Sequence, residues 1–288
     1  MSMASANPAA APAFRAGLVQ MCSGRDVARN VRDASDLVRK AASDGAHYIQ
    51  TPEVTTLMEL ERPRLLAEIQ PETNNSALAA FTDLARELRR WLHIGSMAVK
   101  LDDDRFANRS YLIDPNGRVT ARYDKIHMFD VDLGSGHVYR ESESYAPGEA
   151  AVIAELPWGP IGLTICYDLR FPALHRALAK GGAQYIAAPA AFTRITGEAH
   201  WHTLLRARAI EAQTFVFAAA QGGLHENGRE TYGHSLVISP WGKVLAEAGT
   251  EPGVVTADID LSILDDVRRR IPSLTHDRPF SVTRANGD

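Results

Sequence analysis

The chain has only two cysteines in 288 residues, Cys22 and Cys166. Two thiols cannot build a disulfide framework or a zinc ribbon, and this usage fits a reducing compartment, the cytoplasm by default. No run is apolar and long enough to span a bilayer. Neither charge dominates: 31 basic against 35 acidic residues leave a net charge of −4, spread along the chain, so there is no electrostatic footprint for nucleic acid or an anionic membrane. Small molecules are the partners this balance favours. Residues 1–12 are Ala-rich but lack a basic n-region and a continuous apolar h-region, which reads as a disordered leader and not a signal peptide. Gly134-Ser135-Gly136 lacks the third glycine and the strand-turn-helix setting of a dinucleotide loop. The sequons at Asn74 and Asn108 are discounted, because such tripeptides arise by chance and mean nothing in a cytosolic protein.

What is present is a 45% hydrophobic chain in which strand and helix patterns alternate. A strand is expected over Phe14 to Met21. An amphipathic helix follows from Asp26 to Ala42, with Val27, Val31, Ala34, Leu37, Val38 and Ala41 on one stripe. His47 to Thr51 reads as a buried strand and Ser76 to Arg90 as a second helix. Leu92 to Val99 and Arg109 to Ile113 are strands, and Asp114-Pro115-Asn116-Gly117 turns the chain back into Arg118 to Tyr123. The second half repeats this grammar: Gly45-Ala46-His47-Tyr48-Ile49 matches Gly182-Ala183-Gln184-Tyr185-Ile186, and the segment from Ser110 to Val119 matches Ser235 to Val244. Two similar βα halves, each a sheet with helices on one face, would pack their free sheet faces into a four-layer α-β-β-α sandwich with an internal pseudo-two-fold. One domain over residues 13–281 and a flexible tail over 282–288 are expected.

Strands deliver side chains rigidly to a sheet rim, which catalysis requires. Three groups sit at strand ends: Glu53 after His47 to Thr51, Lys125 after Arg118 to Tyr123, and Cys166 after Ile161 to Ile165. Cys166 enters a charged segment at a strand-to-helix turn, where backbone N–H groups and a helix N-terminus can lower a thiol pKa and stabilise an oxyanion. Cys22 also closes a strand but has no such turn and reads as a small buried hydrophobe. His200 and His202 lie two apart, on different faces of a helix, and no Cys or carboxylate partner completes a ligand set, so no metal is expected. Spacing alone leaves a Cys–His pairing open.

Pro52-Glu53, Tyr123-Asp124-Lys125-Ile126-His127 and Ile165-Cys166-Tyr167-Asp168-Leu169-Arg170-Phe171-Pro172 occur in this order, and with them the chain resembles the nitrilase, or carbon–nitrogen hydrolase, superfamily from Phe14 to about Phe280. The resemblance implies an αββα fold, a Glu53-Lys125-Cys166 triad, no metal or organic cofactor, and homodimers or larger assemblies. Glu141 resembles the family's second glutamate, which orients the lysine or the substrate, with Glu143 the neighbouring decoy. Amide hydrolysis to acid and ammonia needs a nucleophile, a base that turns acid for the leaving amine, and positive charge at the oxyanion, for which Cys166, Glu53, and Lys125 with the Tyr167 N–H are the candidates. The segments around Ala190 to Trp201, Leu205 to Glu211 and Tyr232 to Ser235 look most like the deaminated glutathione amidase branch, with ω-amidases next and N-carbamoyl amino acid hydrolases and nitrilases further off. Both nearer groups act on carboxylate-bearing amides. Arg170 and Arg194 are therefore candidates for a substrate carboxylate, and Tyr167, Phe192 and Thr196 for the pocket wall. The alternative from another class is an inactive scaffold of the same fold, which the intact triad argues against.

Overall fold

Two six-stranded sheets of like construction carry the chain in the computed structural model, which describes residues 14–101, 105–134, 136 and 138–285. The expected leader, Ser135 and the last three residues of the expected tail lie outside the described residues. The first sheet contains β1 (Phe14–Gln20), β2 (Tyr48–Gln50), β3 (Trp91–Lys100), β4 (Phe106–Ile113), β5 (Val119–Asp124) and, from the far end of the chain, β16 (Gly253–Ile259). The hairpins β6 (Asp130–Asp132) with β7 (Val138–Arg140), and β12 (Gly222–Leu224) with β13 (Glu230–Tyr232), stand apart from both sheets. The second sheet contains β8 (Val152–Leu156), β9 (Gly159–Leu163), β10 (Tyr185–Ala187), β11 (Phe215–Ala218), β14 (Leu236–Ile238) and β15 (Val244–Glu247).

The strand orders are β16-β1-β2-β3-β4-β5 and, read from the matching edge, β8-β9-β10-β11-β14-β15. Each sheet has antiparallel edge pairs around a parallel centre, β1-β2-β3 in one and β9-β10-β11 in the other. The internal repeat expected from the letters is thus a repeat of topology. β2 and β10 occupy equivalent places, as do β4-β5 and β14-β15.

Period-2 alternation divides the first sheet between two layers. Val19, Ile49, Leu92, Tyr111 and Ile113 face one way, under α1 (Val27–Ser43) and, beyond the short α2 (Arg62–Glu68), α3 (Ser76–Leu88). Leu18, Tyr48 and Leu112 face the other way and join Ile161, Leu163, Tyr185 and Phe217 of the second sheet in one central cluster. Aromatic side chains pin the sheets together there: the rings of Tyr48 and Phe217 lie 5.4 Å apart, and those of Phe14 and Tyr185 5.4 Å apart and nearly perpendicular. Such pairs contribute about 0.5–1.5 kcal/mol each beyond their area. Beyond the second sheet lie α4 (Pro172–Lys180) and α5 (Arg194–Ala212), the latter burying Trp201, Leu205 and Ala209 in the central cluster; α6 (Ser262–Arg270) closes the order.

The first helix departs from its expected stripe. Asn30 is buried while Val27, Val31 and Leu37 are only partly so. Its amide donates to the carbonyls of Gly24 and Thr56 and accepts from the Gly24 N–H, tying the loops after β1 and β2 to the helix. A polar side chain is worth burying when each of its groups is bonded.

Candidate active site

Glu53 and Cys166 reach the same point from opposite halves. Beyond β2 the chain runs through Thr51-Pro52 to Glu53 while Pro189 approaches from beyond β10. Both crowd Gly95, where a Cβ would lie 1.9 Å from the Thr51 carbonyl and 2.4 Å from Pro189. Only glycine leaves room for that crossing. Cys166 lies past β9, its N–H held by the Pro189 carbonyl at 2.8 Å, and opens a 3-10 turn, Cys166–Arg170, that hands over to α4 at Pro172. Its φ of 49° is left-handed, a conformation that costs a non-glycine residue about 1–3 kcal/mol. Lys125 follows β5, with its N–H on the Asn108 carbonyl and its own carbonyl on the Gly148 N–H.

The three side chains are buried together. Lys125 Nζ donates to Glu53 Oε1 at 2.9 Å and to both oxygens of Glu141 at 2.9 and 2.8 Å. Glu53 Oε2 accepts from the Ala191 N–H at 2.9 Å, and Glu53 lines one cavity with Cys166, whose thiol feels the carboxylate's charge. Glu141 also takes the Phe129 N–H at 2.7 Å. Its neighbour Glu143 lines the same cavity without reaching the lysine. One ammonium thus stands between two carboxylates, in a cavity whose wall also carries the thiol.

The resulting charge states follow from the neighbours. Burial alone would raise the Glu53 pKa, but the ammonium of Lys125 and the hydrogen bonds from Cys166 and Lys125 outweigh it and leave the group below its ordinary value. Burial alone would lower that of Lys125; Glu141 first and then Glu53 push it well above the ordinary lysine value. For Cys166, burial and the Glu53 carboxylate both favour the protonated form and raise the pKa well above that of a free thiol, against the opposing pull of Lys125. This corrects the expectation of a turn-lowered pKa. The resting site holds a thiol, a carboxylate and an ammonium.

Two supporting residues escaped the sequence reading. Asn108, dismissed with its sequon, sends Nδ2 to Glu53 Oε1 at 3.0 Å and to Glu141 Oε1 at 3.2 Å, so it spaces the two carboxylates that share Lys125. Asp168 is fully buried and accepts from the Ile165 N–H, the Tyr123 hydroxyl, the His127 N–H and the His127 ring Nδ1, at 2.9, 2.6, 3.1 and 2.7 Å. It ties the strand end before Cys166 to the segment after Lys125. Neither pattern is periodic, which is why no sequence signal marked it.

A cavity of about 390 Å³ opens over the triad, within the range of small-molecule sites. Glu53, Lys125, Glu141 and Cys166 line it, with Tyr167, Phe192 and Thr196 of the expected pocket wall. Arg170 and Arg194 do not line it. Arg170 lies over the rings of Phe192 and Tyr167, 5.5 and 5.9 Å from their centres, beside His200. Arg194 is half exposed and bound to Glu230 and Glu198, because the start of α5 faces outward there. Arg229, unmarked in the sequence, does line the cavity. The expectation that no carboxylate completes a histidine ligand set is also corrected: Glu247 of β15 accepts from His202 at 3.0 Å and from His234 at 2.9 Å. Among the described residues this is the group whose donor atoms are close enough to share a cation, and it lies outside the cavity.

Comparison with known proteins agrees with this arrangement. Residues 15–269 match the carbon-nitrogen hydrolase family model. The deaminated glutathione amidase of Yersinia enterocolitica is 39% identical over 91% of this chain and 92% of its own, and the human deaminated glutathione amidase 40% identical over 90% and 81%. The crystal structure of the C. elegans NitFhit protein superposes with a TM-score of 0.87 at 36% identity, covering 93% of this chain and 66% of that one. The chain belongs to the carbon-nitrogen hydrolase family, with the nitrilase fold, and is a hydrolase of carbon–nitrogen bonds other than peptide bonds.

Proposed function

We propose that this protein is a thiol amidase whose nucleophile is Cys166 and whose substrate is deaminated glutathione. The observation that carries the reading is a buried thiol, Cys166, in the wall of one cavity of substrate size with the Glu53 carboxylate that Lys125 ion-pairs at 2.9 Å. As Sγ adds to the amide carbon, the thiol proton passes to Glu53, and the carbonyl oxygen takes the negative charge beside Lys125 Nζ and the Tyr167 N–H. Glu53 then protonates the nitrogen, the C–N bond breaks and a thioester remains. Water gives a proton to Glu53 and its oxygen to the thioester carbon; the acid leaves and the sulfur recovers its proton. Glu141 holds the far side of Lys125, so the ammonium keeps its place when the Glu53 charge is neutralised.

The substrate reading rests on the two relatives named for that activity, at 39 and 40% identity over most of the chain. Deaminated glutathione has only secondary amides, so its leaving group is an amine-bearing fragment. Ammonia is released only from the primary ω-amides, and an ammonia assay alone would miss the proposed reaction. Product analysis by mass spectrometry across deaminated glutathione, α-ketoglutaramate, an N-carbamoyl amino acid and a simple nitrile tests it. The first should have the highest kcat/KM, and a higher value for the carbamoyl compound or the nitrile overturns the assignment.

Among the described residues no helix is long and apolar enough to cross a membrane. Two free thiols are what a reducing compartment maintains, which supports reading the enzyme as cytoplasmic. Ile210 of α5 and Trp241, each 50% exposed, both lie by the Gly242 turn, Trp241 with Arg270 over its ring, and are the surface offered to a second copy of the chain.

A further inference from the structure

The cavity wall holds a cation that the triad does not use. Arg229 stands in the loop between β12 and β13, its N–H fixed by the Asn227 side chain, and Asn227 in turn bonded to the Met58 carbonyl. Its guanidinium lies 5.3 Å from the centre of the Tyr139 ring and donates from Nη2 to the Ala191 carbonyl. Nε is buried with no partner, and among the described residues no carboxylate pairs with the side chain. The other cations of the wall are held differently. Lys125 is shared between two carboxylates, Arg140 is exposed and spends Nη1 on the Val131 and Tyr139 carbonyls, and Arg62 lies over the Phe106 ring and donates to the Glu143 carbonyl. A partly desolvated guanidinium held only by a ring face and a carbonyl is short of negative charge, and a carboxylate is the group whose two oxygens match its fork.

Its position states which carboxylate. Ala191 gives its N–H to Glu53 and its carbonyl to Arg229, so a single wall residue links the guanidinium to the carboxylate that shares the cavity with Cys166. A short acyl chain whose carbonyl carbon sits at Cys166 would bring a terminal carboxylate to Arg229. We propose that Arg229 is the specificity residue for the acyl half of the substrate and selects short acyl groups that end in a carboxylate. This rests on the amidase reading above, and it replaces Arg170 and Arg194 in the role the sequence suggested for them. Deaminated glutathione and the ω-amides both carry such an acyl group, so the subsite is common to the two substrate classes.

The test separates binding from turnover. Succinate and butyrate have the same chain length and differ in the distal carboxylate, and both are product-like ligands whose affinity for the resting enzyme calorimetry measures without any reaction. The wild-type protein should prefer succinate by about tenfold to a hundredfold. Arg229→Ala should abolish the preference, and Arg229→Lys, which keeps the charge and the stem but loses the fork, should retain part of it even if the alanine variant folds poorly. The same variants assayed on succinamate and butyramide should lose kcat/KM for the first only, through KM. A succinate preference that survives in Arg229→Ala, or equal losses on both amides as expected if Arg229 only tunes Glu53, overturns the proposal. If the wild-type protein hydrolyses no amide and yet shows an Arg229-dependent preference, the subsite stands and the amidase reading falls.

Discussion

Cys22 and Cys166 stand at equivalent places in the two halves. Each lies a few residues beyond the C-terminal end of the strand next to the sheet edge, β1 in one half and β9 in the other. Their surroundings are opposite. Cys22 is half-buried, with Sγ 3.5 Å from the Leu224 carbonyl and 3.7 Å from His225 Nδ1, and that nitrogen is itself 2.8 Å from the Ser23 carbonyl. A ring nitrogen that donates its proton to a carbonyl cannot also accept one from a thiol, so this Cys–His contact is no catalytic pair. Burial raises the Cys22 pKa, and Glu251 and Glu226 add to it, as burial and Glu53 do for Cys166. What separates the two thiols is therefore not acidity. It is that Cys166 shares a cavity wall with an ionised carboxylate and an ammonium fixed by three further chain segments, and Cys22 does not.

Exchange of single residues should show how deep that difference runs. Cys166→Ala should abolish amide turnover, a loss of at least about 10⁴-fold, whereas Cys22→Ala should stay within about twofold of wild type. Comparable losses at both positions would erase the distinction. A smaller effect is expected from Asp168→Asn, which puts an amide where a carboxylate accepts four hydrogen bonds. Stability should fall by about 2–4 kcal/mol in urea titration and kcat should fall with KM little changed, because the Cys166 turn and the Lys125 segment lose their common tie. The equivalent test beside Cys22 has no such hub to break.

The gentlest contrast is with pH. Glu53 is held below its ordinary pKa, so its ionised form contributes stability above the usual carboxylate range and loses it as pH falls through the folded value. Lys125 is held above its own, so its contribution is present below the ordinary lysine value and is lost as pH rises through the folded one. Both limits lie outside neutrality, and the thiol stays protonated between them. The kcat/KM profile should be flat from about pH 6 to pH 8.5, and iodoacetamide labelling of Cys166 should show no thiolate ionisation in that window. A labelling midpoint near pH 7 would mean that Cys166 rests as a thiolate and Glu53 is not its base.

Much of the scaffold was readable in advance. The helix carrying Leu78, Phe81, Leu84 and Ala85 inward, the strands flanking the Asp114 to Gly117 turn and the repeat relating β2 to β10 all leave periodic or local signals. The strand-end positions of Glu53, Lys125 and Cys166 belong to the same class. Asn30, Asn108, Asp168 and Arg229 were not readable, because each owes its role to partners distant in the chain: Asn108 to Glu53, Asp168 to Ile165 and Tyr123, Arg229 to Ala191 and Tyr139. Arg170 and Arg194, expected from their places in the sequence to meet a substrate carboxylate, are absent from the cavity lining: Arg170 lies over the Tyr167 and Phe192 rings and Arg194 is bound to Glu198 and Glu230.

Composition and pattern by themselves determined the strand-helix alternation, the doubling of the sandwich and the strand-end candidates Glu53, Lys125 and Cys166, since periodicity and residue type are local properties of a chain; the kind of chemistry came from the motifs that resemble a known family. The protonation state of the thiol, the second carboxylate on Lys125 and the choice of arginine on the cavity wall were decided only by the tertiary structure. Charge, burial and hydrogen-bond geometry depend on distances across space, and the two sheets must first close on one another before those distances exist.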